Sequence, residues 1–316
     1  MMKKINDIIG DAKTIGIAGH VRPDGDCMGS CMSLYNYLKK NRPDLDVRVF
    51  LEFVDKSSIL LKIQTRLSQQ DMTVLNLICL YSLDTASLDR LGLNLPFYEN
   101  AKRTACIDHH ASNDGYADYN YILPKASSAS EVLYDLLDED LIDKSIAEPM
   151  YMGIAHDSGV FRFQSTTPKT MRIAANMIEK GVNVNMILEE TFFRKTYNQM
   201  MVTAKIQSEA VLALDGKCIY GYCTSEMMEE YGVTTKDLDA VVASIRNVDG
   251  VEVAMFLYQL SEDSYKVSLR SKNYVDVSKI AVENGGGGHV RAAGAEIHGE
   301  LNDIINKLLN RIKQDI

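Results

Sequence analysis

Short apolar segments alternate with helical patterns through the first half of the chain. The apolar segments are rich in β-branched residues and read TIGIAG (14–19), DVRVFL (46–51), VLNLICLYSL (74–83) and RTACID (103–108). Helical periodicity is found in CMGSCMSLYNYLKK (27–40), Ala129 to Asp138 and Ile146 to Ala155. Such alternation is typical of a parallel sheet covered by helices on both faces.

The clearest helix signal is STTPKTMRIAANMIEKG, residues 165–181. Thr167 is a suitable N-cap, Pro168 suits the first helical position, and Gly181 is a natural stop. A mostly helical stretch follows to about residue 212. We place a helical linker at residues 189–205 of this stretch.

The last third of the chain has a different pattern. Strands are predicted for KCIYGYC (217–223), VEVAMFLYQL (251–260) and YKVSLRS (265–271), and helices for DLDAVVASIRNV (237–248), VDVSKIAVENG (275–285) and LNDIINKLLNRIKQDI (301–316). The predicted fold class is α/β. It has a parallel-sheet domain over residues 1–188 and a smaller α+β domain over residues 206–316, with the functional site in the cleft between them.

Composition narrows the classes of function. The 316 residues are 46% hydrophobic and carry a net charge of −9, which disfavours binding to long duplex nucleic acid. No segment approaches the ~18 apolar residues of a transmembrane helix, and the first residues resemble a short helix more than a signal peptide. We therefore expect a cytoplasmic protein without a membrane partner. The six cysteines form no C-x-x-C pair and are expected to be reduced and buried.

Acidic and histidine side chains follow the predicted strands. They are His20, Asp24 and Asp26 after the first strand, Asp84 after the third, Asp108, His109 and His110 at the end of the fourth, and Asp157 after the apolar segment MYMGIA. A single aspartate after a strand is usually a turn residue or N-cap, which is the alternative for Asp84 or Asp157 alone. However, four of the six histidines, with His156 as the fourth, lie at these predicted strand ends.

This concentration of charge predicts a metal site. Five carboxylates close together would repel one another unless cations lay among them. Oxygen and imidazole ligands without thiolate suit Mn²⁺ or Mg²⁺, with Fe²⁺ or Co²⁺ as alternatives. About six ligands are enough for two ions about 3.5–4 Å apart, which would activate a water or hydroxide and offset phosphoryl charge. Phosphoester hydrolysis is the reaction that fits such a site.

The segment ENGGGGHVRAAG, residues 283–294, adds a candidate anion site. Four consecutive glycines can expose backbone N–H groups to an anion, and His289 and Arg291 follow them. Arg270, Ser271 and Lys272 lie shortly upstream. We interpret these residues as an anion-binding face, with a bare turn or hinge as the alternative.

Five motifs in order resemble those of the DHH phosphoesterase superfamily. They are HVRPDGDCMGS, LDTASLDRLG, IDHHASND, GIAHDSGVFRFQSTTP and GGGGHVRAAG, the last being similar to the mark of the DHHA1 domain. The resemblance covers about residues 13 to 297. The short chain looks most like the bifunctional oligoribonuclease (nanoRNase) and pAp-phosphatase subgroup.

The resemblance implies a role for each site residue. It implies two divalent metal ions, Mn²⁺ first and Mg²⁺ or Co²⁺ as alternatives, with the ligands His20, Asp24, Asp26, Asp84, His109 and Asp157. In this scheme His20 and Asp24 bind one ion, Asp26 and His109 the other, and Asp84 and Asp157 are shared. Catalytic roles fall to His110, facing the phosphate or leaving group, and to Asp108, orienting the histidines. The substrate phosphate or nucleotide is expected at Arg270, Ser271, Gly287, Gly288 and His289.

Two positions depart from the family pattern. Cys27 stands where alanine is common, and His156 stands where threonine is frequent before the fourth-motif aspartate. Neither change removes an expected ligand. We interpret Cys27 as a packing residue, and His156 as either a supporting donor or an ordinary surface or core histidine.

The leading hypothesis is a dinuclear-metal phosphoesterase. Its substrates would be short single-stranded RNA or DNA oligonucleotides, pApA-type dinucleotides or 3′,5′-bisphosphonucleotides such as pAp, cut by a metal-activated hydroxide. The alternatives are a manganese-dependent inorganic pyrophosphatase-like hydrolase and a catalytically silent nucleotide-binding sensor. A homodimer is possible from the family resemblance, but no residue pattern in the chain indicates one.

Overall fold

The protein divides into two compact units, Met1–Arg194 and Lys195–Ile316. The structure is a computed structural model that describes residues 5–51, 79–238 and 241–316. The division falls within the predicted linker at 189–205, and the exact domain boundaries stay a prediction. In the described ranges, every helix is too short or too polar to cross a membrane.

The first unit is built on a sheet of five parallel strands. The strands are β1 (Thr14–Ala18), β2 (Asp46–Phe50), β3 (Cys79–Leu83), β4 (Arg103–Asp108) and β5 (Tyr119–Ile122), in the order β2-β1-β3-β4-β5. The predicted parallel sheet is confirmed. Residues 74–78 of the third predicted strand lie outside the described residues, and β5 was not predicted. All five residues of β3 are buried, as expected for a central strand covered on both faces.

Seven α-helices are described in the first unit. They are α1 (Ile5–Ile9), α2 (Gly25–Asn41), α3 (Leu95–Glu99), α4 (Ala129–Leu136), α5 (Lys144–Asp157), α6 (Pro168–Glu179) and α7 (Val184–Leu188). The predicted start of α6 is confirmed, because Thr167 forms a reciprocal capping box with Thr170. A π-helical turn, Glu189–Phe193, follows α7.

The close approach of α2 and α5 depends on a glycine. A Cβ atom at Gly29 would lie 2.4 Å from the backbone oxygen of Pro149 and 2.9 Å from the backbone nitrogen of Gly153. Only a residue without a side chain therefore allows the two backbones this near. The contact matters for the site, because α2 carries Asp26 and α5 ends at Asp157.

The second unit contains a mixed sheet of six strands. The strands are β6 (Val211–Ala213), β7 (Cys218–Cys223), β8 (Val253–Ser261), β9 (Ser264–Ser271), β10 (Gly287–His289) and β11 (Ala292–His298), in the order β10-β11-β9-β8-β7-β6. The β7–β8 pair is parallel and the other pairs are antiparallel. The predicted α+β character is confirmed, and β8 and β9 form an antiparallel hairpin.

The glycine run differs from its prediction as an open loop. Gly287 and Gly288 pair with Gly294 and Ala293, so they belong to the edge strand β10. The run has little intrinsic strand propensity, and the pairing with β11 decides its conformation.

Five α-helices are described in the second unit. They are α8 (Tyr197–Glu209), α9 (Ser225–Tyr231), α10 (Val241–Arg246), α11 (Val277–Glu283) and α12 (Leu301–Ile312). The last of these buries Ile304, Ile305, Leu308 and Ile312 in one core with residues of β8, β9 and α11. This spacing is that of an amphipathic helix, as predicted for the end of the chain.

Candidate active site

The predicted acidic and histidine residues meet at one edge of the first sheet. Ala18 of β1 lies beside Ser82 of β3, and Leu83 of β3 lies beside Ile107 of β4. Because all three strands run in the same direction, the residues that follow them emerge at their common carboxyl edge. His20, Asp84 and the segment Asp108–His110 are therefore neighbours.

Asp157 reaches this site from a helix. It is the last residue of α5, so its predicted position at a strand end is wrong, as it is for His156. Its carboxylate Oδ2 nevertheless lies 3.0 Å from Nε2 of His109. Packing of α5 against α2 brings it there, which local sequence pattern does not reveal.

Asp24 combines a structural role with a place at the site. Its Oδ1 accepts hydrogen bonds from the N–H groups of Asp26 and Cys27, each at 3.1 Å, and so caps α2. Its Oδ2 lies 3.8 Å from Nε2 of His20. Although burial opposes ionisation, the His20 contact and these N–H groups lower the pKa of Asp24 to about 2. The carboxylate is therefore charged at neutral pH.

Asp26 is fully buried against the start of α4. Its two carboxylate oxygens accept hydrogen bonds from the N–H groups of Ala129, at 2.5 Å, and Ser130, at 3.0 Å. The helix N-terminus stabilises the anionic form. Burial and the nearby carboxylates of Asp84 and Asp157 act in the opposite direction and raise the pKa of Asp26 well above its ordinary value.

Asp84 lies among three imidazole rings. Its Oδ2 is 3.5 Å from His20 Nε2, and its Oδ1 is 3.5 Å from His109 Nε2 and 3.7 Å from His110 Nδ1. The side chain is buried, yet Oδ1 accepts no hydrogen bond from the part of the chain that the structure describes. The backbone of Asp84 is also left-handed, with φ of 53°, a conformation that aspartate tolerates better than most residues. A buried carboxylate oxygen without a donor calls for a cation.

Hydrogen bonds show which ring nitrogen of His20 and of His110 is held by the protein. His20 Nδ1 is 2.8 Å from the carbonyl oxygen of Val21, to which it must donate, so Nε2 is the atom that faces the carboxylates. His110 Nδ1 is 2.8 Å from Oδ1 of Asp108, which also accepts the N–H of His109. The second oxygen of Asp108 accepts from the Asn113 amide at 2.6 Å. Asp108 thus contacts His110, His109 and Asn113, and its role in orienting the histidines stays a prediction.

The carboxylates hold protons on the histidines when metal is absent. Burial opposes protonation, but Asp24 and Asp84 outweigh it and raise the pKa of His20. In the same way, burial is outweighed by Asp157 and Asp84, which raise the pKa of His109 to about 12. Burial is also outweighed at His110, whose pKa Asp108 and Asp84 raise. The positive charge that this cluster demands is the charge that metal ions supply.

The donor set fits divalent cations. Ligand atoms lie within 4.8 Å of one another in three groups: His20, Cys27 and Asp84; Asp84, His109 and His110; and Asp26, His109 and Asp157. Asp84 and His109 each belong to two groups, as expected of adjoining sites. We interpreted Cys27 as a packing residue, but its sulfur lies within 4.8 Å of ligand atoms of His20 and Asp84. The sequence indicated this possible ligand only by the position of the cysteine in the first motif.

The predicted substrate residues lie in the second unit. Arg270 of β9 pairs with Ala292 of β11, which pairs with His289 of β10, so Arg270 and His289 lie on the same sheet face on either side of Ala292. Gly287 lies on this face and Gly288 on the other. The structure gives Ser271 an internal role, because its buried hydroxyl donates to the carbonyl oxygen of Val275 at 2.7 Å.

Comparison with known proteins covers both units. A model of the DHH family N-terminal domain matches residues 14–154, and a DHHA1 domain model matches residues 215–315. The chain is 31% identical to the bifunctional oligoribonuclease and PAP phosphatase NrnA of Thermus thermophilus, over 96% of this chain and 90% of that protein. It is 27% identical to the protein of the same name from Bacillus subtilis, over 90% of both chains.

A solved structure has the same fold. The crystal structure of an exopolyphosphatase-related protein from Bacteroides fragilis superposes with a TM-score of 0.88 at 22% identity, covering 98% of this chain and 95% of that one. The two matched domains, the Thermus relative and the histidine–aspartate cluster agree with one another. The chain belongs to the DHH family and is a phosphoesterase made of a DHH N-terminal domain and a DHHA1 domain.

Proposed function

We propose that this protein is a dinuclear-metal phosphoesterase that hydrolyses short oligonucleotides and 3′,5′-bisphosphonucleotides such as pAp. The observation that carries the proposal is Asp84, a buried carboxylate among three histidines with one oxygen that accepts no hydrogen bond. The names of the Thermus and Bacillus relatives, oligoribonuclease and PAP phosphatase, support the substrate class.

Two divalent ions, Mn²⁺ first, would be held by residues of the first unit. The ligands are His20, Asp24, Asp26, Asp84, His109 and Asp157. When bound, such ions supply a water of lowered pKa and offset the charge of a phosphoryl group. Asp26 is anchored on α4 and Asp24 caps α2, so the ligands are held in place before any ion arrives. This rigidity limits the reorganisation needed during the reaction.

His110 would act on the substrate. The Asp108 contact fixes its ring and keeps a proton on Nδ1, which leaves Nε2 to donate a hydrogen bond to a phosphate oxygen or a proton to the leaving sugar oxygen. Because Asp84 and Asp108 favour the protonated imidazole, His110 is suited to the acid role. Asp108 acts through His110 and is a positioning residue.

The second unit would bind a phosphate or nucleotide. Arg270 and His289 lie on one face of the sheet, with the small residues Ala292 and Gly287 beside them. Small side chains let an anion approach the backbone, and the arginine can bind it through two hydrogen bonds. Ser271 supports this face from the buried side through its contact with Arg291 at 3.5 Å.

A substrate panel tests the proposal. The purified protein is assayed on pAp, pApA, RNAs of two to five nucleotides and pyrophosphate, each with Mn²⁺, Mg²⁺ and Co²⁺. We expect mononucleotide and phosphate release with Mn²⁺, and loss of release with a chelator. A protein that binds Mn²⁺ normally and leaves both pAp and the oligonucleotides intact would disprove the proposal. Release from pyrophosphate alone would instead identify a pyrophosphatase.

A further inference from the structure

A cysteine lies among the candidate metal ligands of the first unit. The sulfur of Cys27 and ligand atoms of His20 and Asp84 all lie within 4.8 Å of one another. All three residues are buried, with Cys27 entirely inaccessible to solvent. They come from three separate segments: the start of α2, the loop after β1 and the loop after β3. The fold therefore brings a sulfur, a nitrogen and an oxygen donor together.

The position of the sulfur is constrained by its surroundings. The N–H of Cys27 donates to Asp24 Oδ1 at 3.1 Å, which holds the residue in the first turn of α2. A Cβ atom at Gly19 would lie 2.3 Å from the Cys27 sulfur, so the missing side chain of Gly19 is what makes room for it.

Asp84, which shares this ligand group with Cys27, independently indicates a cation. Asp84 is 2% exposed, and its Oδ1 accepts no hydrogen bond. A buried carboxylate oxygen that no donor satisfies is costly unless an ion compensates it. His20 directs Nε2 toward this carboxylate, because its Nδ1 is used by the Val21 carbonyl. Oδ1 faces His109 and His110, whereas Oδ2 faces His20, so the cysteine lies beside a carboxylate whose other oxygen calls for a cation.

We propose that the Cys27 thiolate is a ligand of the ion held by His20 and Asp84. This inference rests on the proposed metal centre and assigns its two positions different preferences. The position with sulfur selects a softer ion such as Zn²⁺ or Co²⁺, whereas the position of Asp26, His109 and Asp157 offers only oxygen and imidazole and suits Mn²⁺. On binding, a sulfur–metal bond forms, the S–H bond breaks and the proton passes to solvent.

Cobalt provides a readout that does not depend on activity. The metal-free protein is titrated with Co²⁺ under reducing conditions, while bound cobalt is counted after gel filtration. We expect visible absorption from cobalt in the protein and a near-ultraviolet sulfur-to-cobalt charge-transfer band that saturates at one thiolate-bound ion per chain. Cys27→Ser is expected to lose the charge-transfer band. It should also weaken the binding of one Zn²⁺ by about tenfold or more, since even the loss of a group that only supports a metal ligand has an effect of this size.

Cys79→Ser is the matched control. Cys79 of β3 is also a buried cysteine of the first unit, but it is absent from the three ligand groups, so this variant is expected to keep the band. Wild-type protein that binds cobalt without the band would overturn the Cys27 inference and leave the metal centre intact. Wild-type protein that binds no cobalt, zinc or manganese would overturn both. A band that persists in Cys27→Ser would assign the sulfur ligand elsewhere.

Discussion

Asp84 and His109 form the contact that joins the two halves of the candidate metal centre. Oδ1 of Asp84 lies 3.5 Å from Nε2 of His109, and each residue belongs to two of the three ligand groups. Asp84 emerges from β3 and His109 from the neighbouring strand β4, so the sheet register sets their spacing. A change at either residue should therefore affect both metal positions.

Asp84→Asn should abolish turnover while the fold is retained. The amide has the shape of the carboxylate but loses the charge on which both metal positions depend. We expect activity on pAp with Mn²⁺ to fall by at least about a hundredfold. A residue that only supports a metal ligand already accounts for losses of up to about that size, and Asp84 is proposed to be a ligand itself. In the metal-free protein the change has two opposing effects, because the Asp84 charge repels Asp26 and attracts the protonated histidines around it.

The measurements are turnover and the shift in melting temperature caused by Mn²⁺. Asp89→Asn, at an exposed aspartate of the segment that follows Asp84, is the control and should retain both. Normal turnover in Asp84→Asn would contradict the proposed centre.

Asp108→Asn should lower kcat more than it raises KM. Oδ1 of Asp108 accepts from His110 Nδ1 at 2.8 Å, and the amide would weaken the hold on that tautomer. We expect a fall of about 10–100-fold in kcat, with bound Mn²⁺ nearly unchanged. Steady-state kinetics over a range of pH would check this, because loss of the Asp108 charge lowers the pKa of His110 and should move the alkaline limb of the profile to lower pH. An equal rise in KM at constant kcat would assign Asp108 to substrate binding instead.

Gly29→Ala should destabilise the first unit. Its Cβ would lie 2.4 Å from the Pro149 oxygen, so α2 and α5 would have to separate. Overpacking of this kind costs about 1–3 kcal/mol, which exceeds the gain of about 1 kcal/mol in helix propensity. Urea denaturation would measure the loss, with Lys39→Ala at the exposed end of α2 as control. Because the helices carry Asp26 and Asp157, Mn²⁺ affinity should fall as well.

Glu252→Gln should reveal a stabilising contribution that depends on pH. Glu252 is buried in the second unit and accepts the N–H groups of Asn273, Tyr274 and Val275. Burial raises its pKa, but these N–H groups outweigh burial and lower the pKa below its usual value. Since the folded pKa lies below the unfolded value of about 4.3, the stabilisation is present above that pH. It is lost as the pH falls through the folded pKa.

The expected cost of Glu252→Gln at pH 7 is about 2 kcal/mol, as for hydrogen bonds to a charged acceptor. Chemical denaturation at pH 7 and at successively lower pH should show the wild type and the variant converging in acid. Glu262→Gln, in the exposed β8–β9 turn, serves as the control. A difference that is constant with pH would mean that shape, and not charge, explains the effect.

The fold class and the grouping of most candidate ligands at one sheet edge could be predicted from local patterns in the chain. Short apolar segments identified β1, β2 and β4, and a helical pattern with its cap identified α6, because burial on one or both faces leaves a local record in the chain. Alternating strands and helices implied a parallel sheet, and parallel strands bring their following residues to one edge. The sequence therefore predicted that His20, Asp84 and His109 lie close together.

Only the tertiary structure decided the contacts between segments that are distant along the chain. Asp26 is 103 residues from Ala129, whose N–H it accepts, and Cys27 joins Asp84 through packing of α2 on the sheet. The glycine run became the edge strand β10 because β11 offered it hydrogen-bond partners. Local patterns carry no information about such partners, since the same cysteine or glycine run fits several environments, and the global packing selects one.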